Sequence, residues 1–244
     1  LSVMASNGCG SGPVRILDVT LSASTSAIQG TGSESPYKDV FLKITGTVTG
    51  VLPGAGYFVQ DAAALWSGIW VSDTKTVVLE GTGVVVEGLV QEINKITTIH
   101  ASQVQFINPP VVISPINISS PNAVKFEQNE SVLVKLKGVR FQGSKNPDGS
   151  WMVKTSDFNS VLVDDLLYPY TPVDGHYYDV TGIVYSADDI FRLEPRKAAD
   201  ITDRSISTAT NSVDAFQPFV FPNPFRDYLV IGNPENFERG TITN

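Results

Sequence analysis

Two histidines are the side chains of this sequence best suited to acid–base or metal chemistry, and they lie far apart in the chain. His100 ends a β-branched run, and His176 lies in a short polar turn. Neither has a second histidine four residues away, and the only cysteine is Cys9, whereas a zinc site needs several such ligands together. No serine stands in a Gly-x-Ser-x-Gly elbow, and no glycine-rich phosphate loop opens a helix. We therefore expect surface or turn positions for both histidines and favour a chain that is not an enzyme.

Two acidic pairs, Asp164–Asp165 and Asp188–Asp189, are the candidates for a cation site. Hard cations such as Ca²⁺ prefer carboxylate oxygens. The spacing of these residues does not match a Ca²⁺-binding loop, so solvated turns are the favoured interpretation. We expect no cofactor, and Ca²⁺ is the alternative that the acidic pairs leave open.

Ring side chains are the remaining candidates for ligand binding. Tyr57, Trp66, Trp70 and Trp151 fall in or beside apolar runs, and an exposed ring can stack on a nucleobase or a sugar. Alternation places Tyr57 and Phe58 on opposite faces of one strand. The alternative is that these rings fill a core or an interface between domains.

The elements that would position these residues are short strands, and their pattern occurs twice. Five or six β-branched runs broken by Gly, Pro and Asn lie between residues 38 and 106, and similar runs begin again at Val132. The only helical candidate is Asp61–Trp66, about one turn. Three pairs of markers share nearly one offset: Gly46 and Gly138 (92 residues), Asp73 and Asp165 (92), and Gly88 and Gly182 (94). This register predicts an internal duplication of one β-domain.

Glycines inside the first and fourth strands of each repeat predict bulges or sharp bends, which a small barrel needs at its corners. Five bent strands per repeat describe an OB-like barrel, a partly open Greek-key barrel of five strands. An immunoglobulin-like sandwich is the alternative, and it would need about seven strands. The predicted fold class is therefore all-β, with two tandem small OB-like β-barrels.

Several motifs resemble the OB-like domains that accompany secreted bacterial nucleases. In the first repeat the similar segments are Gly56–Asp61, Gly68–Val71 and Val84–Val90. The second repeat ends in Leu193–Ile201, which is similar to the closing segment of such domains. The resemblance implies the fold and a ligand face on strands two and three that takes an oligonucleotide or a glycan.

The chain ends in a different motif, which resembles the start of the C-terminal sorting domain of the type IX secretion system of Bacteroidetes. The matching residues are Phe221, Pro222, Asn223, Pro224, Phe225 and Asp227. The resemblance implies a β-sandwich sorting domain, secretion to the extracellular space or the outer-membrane surface, and the type IX secretion machinery as a partner. Domains of this family are longer, so we expect this one to be truncated.

Composition and these motifs together predict the organisation of the chain. A net charge of −8 argues against nonspecific binding of nucleic acid, and no apolar run approaches the roughly 20 residues of a membrane helix. The predicted segments are a leader or linker with one strand at Val14–Val19 (1–36), the first barrel (37–108), a Pro-rich connector (109–129), the second barrel (130–203), a linker (204–219) and the sorting domain (220–244).

The function that these features favour is a non-catalytic secreted or cell-surface module that binds a ligand or acts as a spacer. Two alternatives stay open. The barrels would be accessory domains of a larger extracellular nuclease or other hydrolase, or the chain would be a structural adhesin or a component of a surface assembly.

Overall fold

The β-branched runs form strands in the computed structural model of the protein, as predicted. In the first repeat these strands are β1 (Leu21–Ser22), β2 (Phe41–Leu52), β3 (Gly56–Gln60), β4 (Gly68–Ser72), β5 (Gly83–Ile93) and β6 (Ile96–Ile107). In the second repeat they are β7 (Ile116–Ile118), β8 (Leu133–Phe141), β9 (Trp151–Lys154), β10 (Ser160–Val163), β11 (Tyr177–Ala187), β12 (Ile190–Glu194) and β13 (Ile201–Asp203). The structure describes residues 2–4, 6–13, 15–16, 20–187, 190–205, 220–221 and 230–231.

Each repeat closes into a barrel of five strands. The first has the order β2-β3-β4-β6-β5 and closes because β5 also pairs with β2. The second has the equivalent order β8-β9-β10-β12-β11 and closes through β11 and β8. Within each barrel one pair is parallel, β4 with β6 and β10 with β12. The prediction of an all-β chain with two tandem barrels is confirmed.

The strand register accounts for the two offsets that mark the duplication. Gly88 on β5 faces Leu42 on β2, and Gly182 on β11 faces Val134 on β8. Equivalent residues are therefore 92 apart in the first strand and 94 apart in the fourth. A Cβ atom on Gly88 or Gly182 would lie only 2.2 or 2.7 Å from a backbone carbonyl oxygen of the next strand. Both positions are glycine because the strands approach so closely.

The predicted glycine bulge in the first strand occurs in one repeat only. Gly138 adopts a positive φ of 64° and lies within a bulge between Leu136 and Val139. Gly46 faces Val84 in regular register, and the irregularity of β2 lies a few residues later in the strand. The two copies have thus kept the glycine but moved the bulge.

Two short helices lie outside the segment in which the sequence predicts one. They are α1 (Thr25–Gln29) and α2 (Pro121–Val124), and each follows a serine, Ser24 or Ser120, whose side chain accepts a backbone N–H of the first turn. Residues 61–66 form bends and a turn instead of the expected helical turn.

These helices change the boundaries of both barrels. Ile28 of α1 and Val124 of α2 are fully buried in the first and second core, and β1 and β7 each pair in parallel with the first long strand of their barrel. Part of the expected leader (1–36) and part of the expected connector (109–129) therefore belong to the folded barrels.

The remaining described elements are short. The 3₁₀ turns are Glu127–Asn129 and Ala198–Asp200, and the two-residue antiparallel pairs are Ser2–Val3 with Arg15–Ile16, Ser6–Asn7 with Gly10–Ser11, and Val220–Phe221 with Val230–Ile231. The chain divides into two units, residues 1–205 and 206–244. No helix among the described residues is long and apolar enough to cross a membrane.

Candidate functional site

Tyr57 and Trp151 occupy the same position in the two barrels, because each faces the equivalent valine of the next strand, Val71 or Val163. Tyr57 is 1% exposed and Trp151 is fully buried. Three rings surround the Trp151 ring, with centroid distances of 5.6 Å to Phe141, 5.9 Å to Tyr170 and 5.4 Å to Tyr178. Neither side chain offers a ring face to a ligand, which corrects the predicted stacking role. Both fill their cores, as the alternative interpretation had it.

The other two predicted rings lie where the barrels meet. The Trp70 ring lies 4.6 Å from that of Phe58 and 6.4 Å from that of Tyr185 on the second barrel, between centroids. Trp66 has a positive φ of 65°, and its backbone N–H donates to the carbonyl of Gln128 at 2.7 Å. The Trp70 ring and the Trp66 backbone thus hold the barrels together, and the Trp70 ring is not an open stacking platform.

A buried amide completes this contact, which we call the junction. Gln60 on β3 is fully buried, and its Oε1 accepts the backbone N–H of Leu133 on the second barrel at 2.7 Å. Its Nε2 donates to the Ser67 hydroxyl at 3.1 Å. A Cβ on Gly68 would lie 2.1 Å from the Ser131 carbonyl oxygen, so the two backbones touch here. The outer face of β3 and β4 is therefore covered by the second barrel.

A buried carboxyl group, Glu130, also lies at the junction. Only 2% of Glu130 is exposed, and its Oε1 accepts the Thr97 N–H at 3.0 Å and the Gln29 amide at 3.3 Å, both from the first barrel. Burial, helped by the carboxylates of Glu127 and Glu92 and opposed by those hydrogen bonds, raises the pKa of Glu130 to about 8. Glu130 is therefore mainly protonated at neutral pH.

The equivalent face of the second barrel is open. Met152 on β9 is 42% exposed, and Leu162 on β10 is half-buried. Lys154 and Arg192 flank them, and Arg192 donates to Asp164 at 2.6 Å. We call this surface the open face. By register, Phe58, Trp70 and Gln60 of the first barrel correspond to Met152, Leu162 and Lys154 of the second.

A cavity of about 470 Å³ lies between the β2–β3 hairpin and the segment 73–80, with Leu167 and Arg196 contributed by the second barrel. Its polar end holds the Tyr57 hydroxyl and the Asp73 carboxylate, 3.5 Å apart. Its apolar side chains are Val51, Leu52, Pro53, Val77, Val78, Leu79 and Leu167.

Ion pairs between the two barrels hold one wall of this cavity in place. Arg196 donates through Nε and Nη2 to both oxygens of Asp200, at 2.8 and 2.9 Å. Its Nη1 donates to the Thr49 carbonyl at 2.9 Å and pairs with Glu80 at 2.9 Å, and Lys197 also donates to Glu80 at 2.6 Å. Arg196 is thus held on both sides and serves as a wall of the cavity.

The two histidines are well separated in the fold. The Nδ1 atom of His176 lies 2.7 Å from a carboxylate oxygen of Asp203. His100 lines a small cavity of about 90 Å³ beside Trp70 and Tyr185, and its Nε2 is buried without a hydrogen bond. The two rings belong to different barrels.

The acidic pair Asp164–Asp165 is engaged by cationic side chains. Asp164 accepts from Arg192, and Asp165 accepts from Lys145 at 2.7 Å. The second pair, 188–189, lies outside the described residues. In the part of the chain that the structure describes, no group of three or more His, Cys, Asp or Glu side chains is arranged to hold a metal ion.

Comparison with known proteins adds no relative, since no family model, curated protein or solved structure matches the chain.

Three residues that complete the junction and the cavity, Gln60, Glu130 and Asp73, were missed as site residues at the level of sequence. Gln60 carries a weak signal, because it is a polar residue on the face opposite Tyr57 in an otherwise apolar strand. Glu130 and Asp73 carry none, since their partners are distant in sequence or are backbone groups of a turn.

Proposed function

We propose that this chain is a non-catalytic binding and spacer module of a secreted or cell-surface protein exported by the type IX secretion system. In this proposal the first barrel supports the second, and the second presents the ligand face. One observation carries it: two equivalent faces exist, and the junction covers one while the other stays open. The first barrel is fixed to the second through its covered face. The open face of the second barrel therefore has a defined orientation relative to the first barrel.

The strand order supports an OB-like assignment of each barrel. The order of strands one to five is 1-2-3-5-4, with closure of strand four on strand one and a parallel pair of strands three and five. OB-folds bind oligonucleotides and oligosaccharides on the face of strands two and three. In the second barrel these strands are β9 and β10, which carry the open face.

The sorting assignment rests on the sequence motif. Phe221 belongs to the antiparallel pair Val220–Phe221 with Val230–Ile231, whereas Pro222, Asn223, Pro224, Phe225 and Asp227 lie outside the described residues. The motif supports export in a Bacteroidetes host, to the medium or to the outer-membrane surface. Replacing Pro222, Asn223 and Pro224 by Ala in the full-length protein should leave it in the periplasm, whereas detection at the cell surface would rule the assignment out.

Binding to the open face is tested by titrating the protein with single-stranded DNA and with a panel of neutral glycans at low salt. Met152→Ala combined with Leu162→Ala should weaken binding of the true ligand at least about tenfold, because both side chains lie at the centre of the face. Phe106→Ala is the matched control, since Phe106 is an exposed apolar residue of the first barrel.

A charge reversal distinguishes the two ligand classes. Lys154→Glu should abolish most of an oligonucleotide affinity and reduce its salt dependence, because phosphate contacts dominate such binding. It should leave the affinity for a neutral glycan nearly unchanged. If neither ligand class binds the wild-type protein, the binding half of the proposal is wrong; hydrolysis of DNA, RNA or a glycan by the purified chain would refute the non-catalytic half.

A further inference from the structure

We propose that the cavity between the β2–β3 hairpin and the segment 73–80 is a second binding site, for a small neutral amphiphile with an apolar body and a hydroxyl-bearing head group. Asp73 and Tyr57 would hold the head group, and the aliphatic wall would hold the body. This site goes beyond the proposed function, because no residue of the open face lines it.

The size and the wall of the cavity fit an apolar body. A volume of about 470 Å³ lies within the range of sites for small molecules, roughly 300–1,000 Å³. Seven aliphatic or proline side chains line the cavity. At its rim, Val77 is 86% exposed and Leu79 is 72% exposed. A bound apolar group would remove both side chains from water, which is the main source of affinity in such sites.

The polar end of the cavity places the Asp73 carboxylate beside the Tyr57 hydroxyl. Oδ1 of Asp73 accepts the backbone N–H groups of Lys75 and Thr76, at 2.8 and 3.1 Å. Its Oδ2 lies 3.5 Å from the Tyr57 hydroxyl, which is too long for a strong O–H···O bond. A hydroxyl group of the ligand would accept from Tyr57 and donate to Asp73, replacing this one long contact by two hydrogen bonds of ordinary length.

The protonation states of both groups suit this role. Burial alone would raise the pKa of Asp73, but hydrogen bonds from Thr76 and Lys75 hold it below its usual value, so Asp73 is an ionised acceptor. Burial raises the pKa of Tyr57, so its hydroxyl keeps the proton that it would donate.

The charges around the cavity favour a neutral ligand. Four charged side chains line it, two acidic and two basic: Asp73, Glu80, Lys75 and Arg196. Glu80 and Arg196 neutralise one another at 2.9 Å. A charged head group would therefore meet a repelling side chain as well as an attracting one.

The test uses octyl β-D-glucoside below its critical micelle concentration as the probe, followed by amide chemical shifts of the full chain. We expect saturable shifts in residues 51–56 and 73–80. Tyr57→Phe keeps the buried ring and should weaken binding about fivefold. Leu79→Ser changes only the exposed rim and should also weaken binding severalfold. Tyr185→Phe is the matched control, because Tyr185 lies at the junction and not in this cavity.

Several results would overturn the proposal. These are the lack of saturable shifts, shifts confined to other residues, or equal affinity for the wild-type protein and for a folded Tyr57→Phe variant. Octyl sulfate or octyltrimethylammonium binding as tightly as the glucoside would contradict the neutral head group. None of these measurements involves the open face. If no ligand bound to the open face, the result for the cavity would be unaffected.

Discussion

The two barrels share their strand order and their core positions, but they differ on one outer face. In the first barrel this face carries an aromatic pair, Phe58 and Trp70, and is buried against the second barrel. In the second barrel, Met152 and Leu162 occupy the equivalent positions and remain partly exposed. The two copies thus differ at the face through which the first meets the second. The face is buried in one barrel and exposed in the other, although both barrels have the same strand order.

The largest expected effect comes from breaking the junction at Phe58. Phe58→Ala removes a fully buried ring and should lower the free energy of unfolding by about 3–5 kcal/mol. Because Phe58 lies between the barrels, calorimetry should also resolve two transitions in place of one. Met152→Ala at the equivalent position is the control and should cost less than about 1.5 kcal/mol. If both substitutions lowered the free energy of unfolding equally, the two faces would not differ in burial.

The next effect, smaller for each pH unit, follows from two buried carboxyl groups: Glu130 at the junction, and Glu194 on β12, which faces Ile183. The pKa of Glu130 and that of Glu194 are each raised to about 8 from an ordinary value of 4.5, mainly by burial. Between these values the folded protein holds more protons than the unfolded chain. The free energy of unfolding should therefore fall as the pH rises through this window, by up to about 1.4 kcal/mol per pH unit for each group.

Urea unfolding at pH 5 and pH 9 measures this dependence. Glu130→Gln and Glu194→Gln should each flatten it in part. Glu130 accepts hydrogen bonds from the first barrel, so its ionisation at pH 9 should loosen the junction, and Glu130→Gln should keep the two barrels unfolding together at that pH. A protein more stable at pH 9 than at pH 5 would contradict the protonated state of both groups.

The smallest effect is expected at the open face. Lys154 is at the position equivalent to Gln60 of the first barrel, so Lys154→Gln places the same residue type at both positions. Since Lys154 lies at the surface and the side chain has no buried partner to lose, unfolding free energy should change by no more than about 0.5 kcal/mol. A loss of several kcal/mol, measured in the same urea experiment, would mean that this face is covered.

Most of the barrel architecture could be predicted, because its determinants are local. β-branched runs and glycines at close strand contacts such as Gly88 and Gly182 repeat with a nearly constant offset. The helices α1 and α2 were missed because they have five and four residues, too few for a helical period. Their serine N-caps at positions 24 and 120 were the available signal.

The sites could be predicted only in part, because they depend on contacts between distant segments. Alternation placed Tyr57 and Phe58 on opposite faces of β3, but it could not say which face was covered by a second barrel. That answer requires Gln60 to reach Leu133, 73 residues away. For the same reason, the ring of Trp151 was expected at a surface and lies in a core.

Closure of both barrels has a consequence for how the protein behaves in concentrated solution. A free strand edge presents unpaired backbone groups and invites pairing with another chain, which is a route to aggregation. In unit 1, closure leaves β1, β7 and β13 at the ends of the sheets, each with two or three residues, and the half of β6 from Gln103 to Ile107 pairs with β5 alone. The short end strands give a neighbouring molecule little to extend, whereas the unpaired side of β6 at Gln103–Ile107 is where strand pairing with a second molecule would begin.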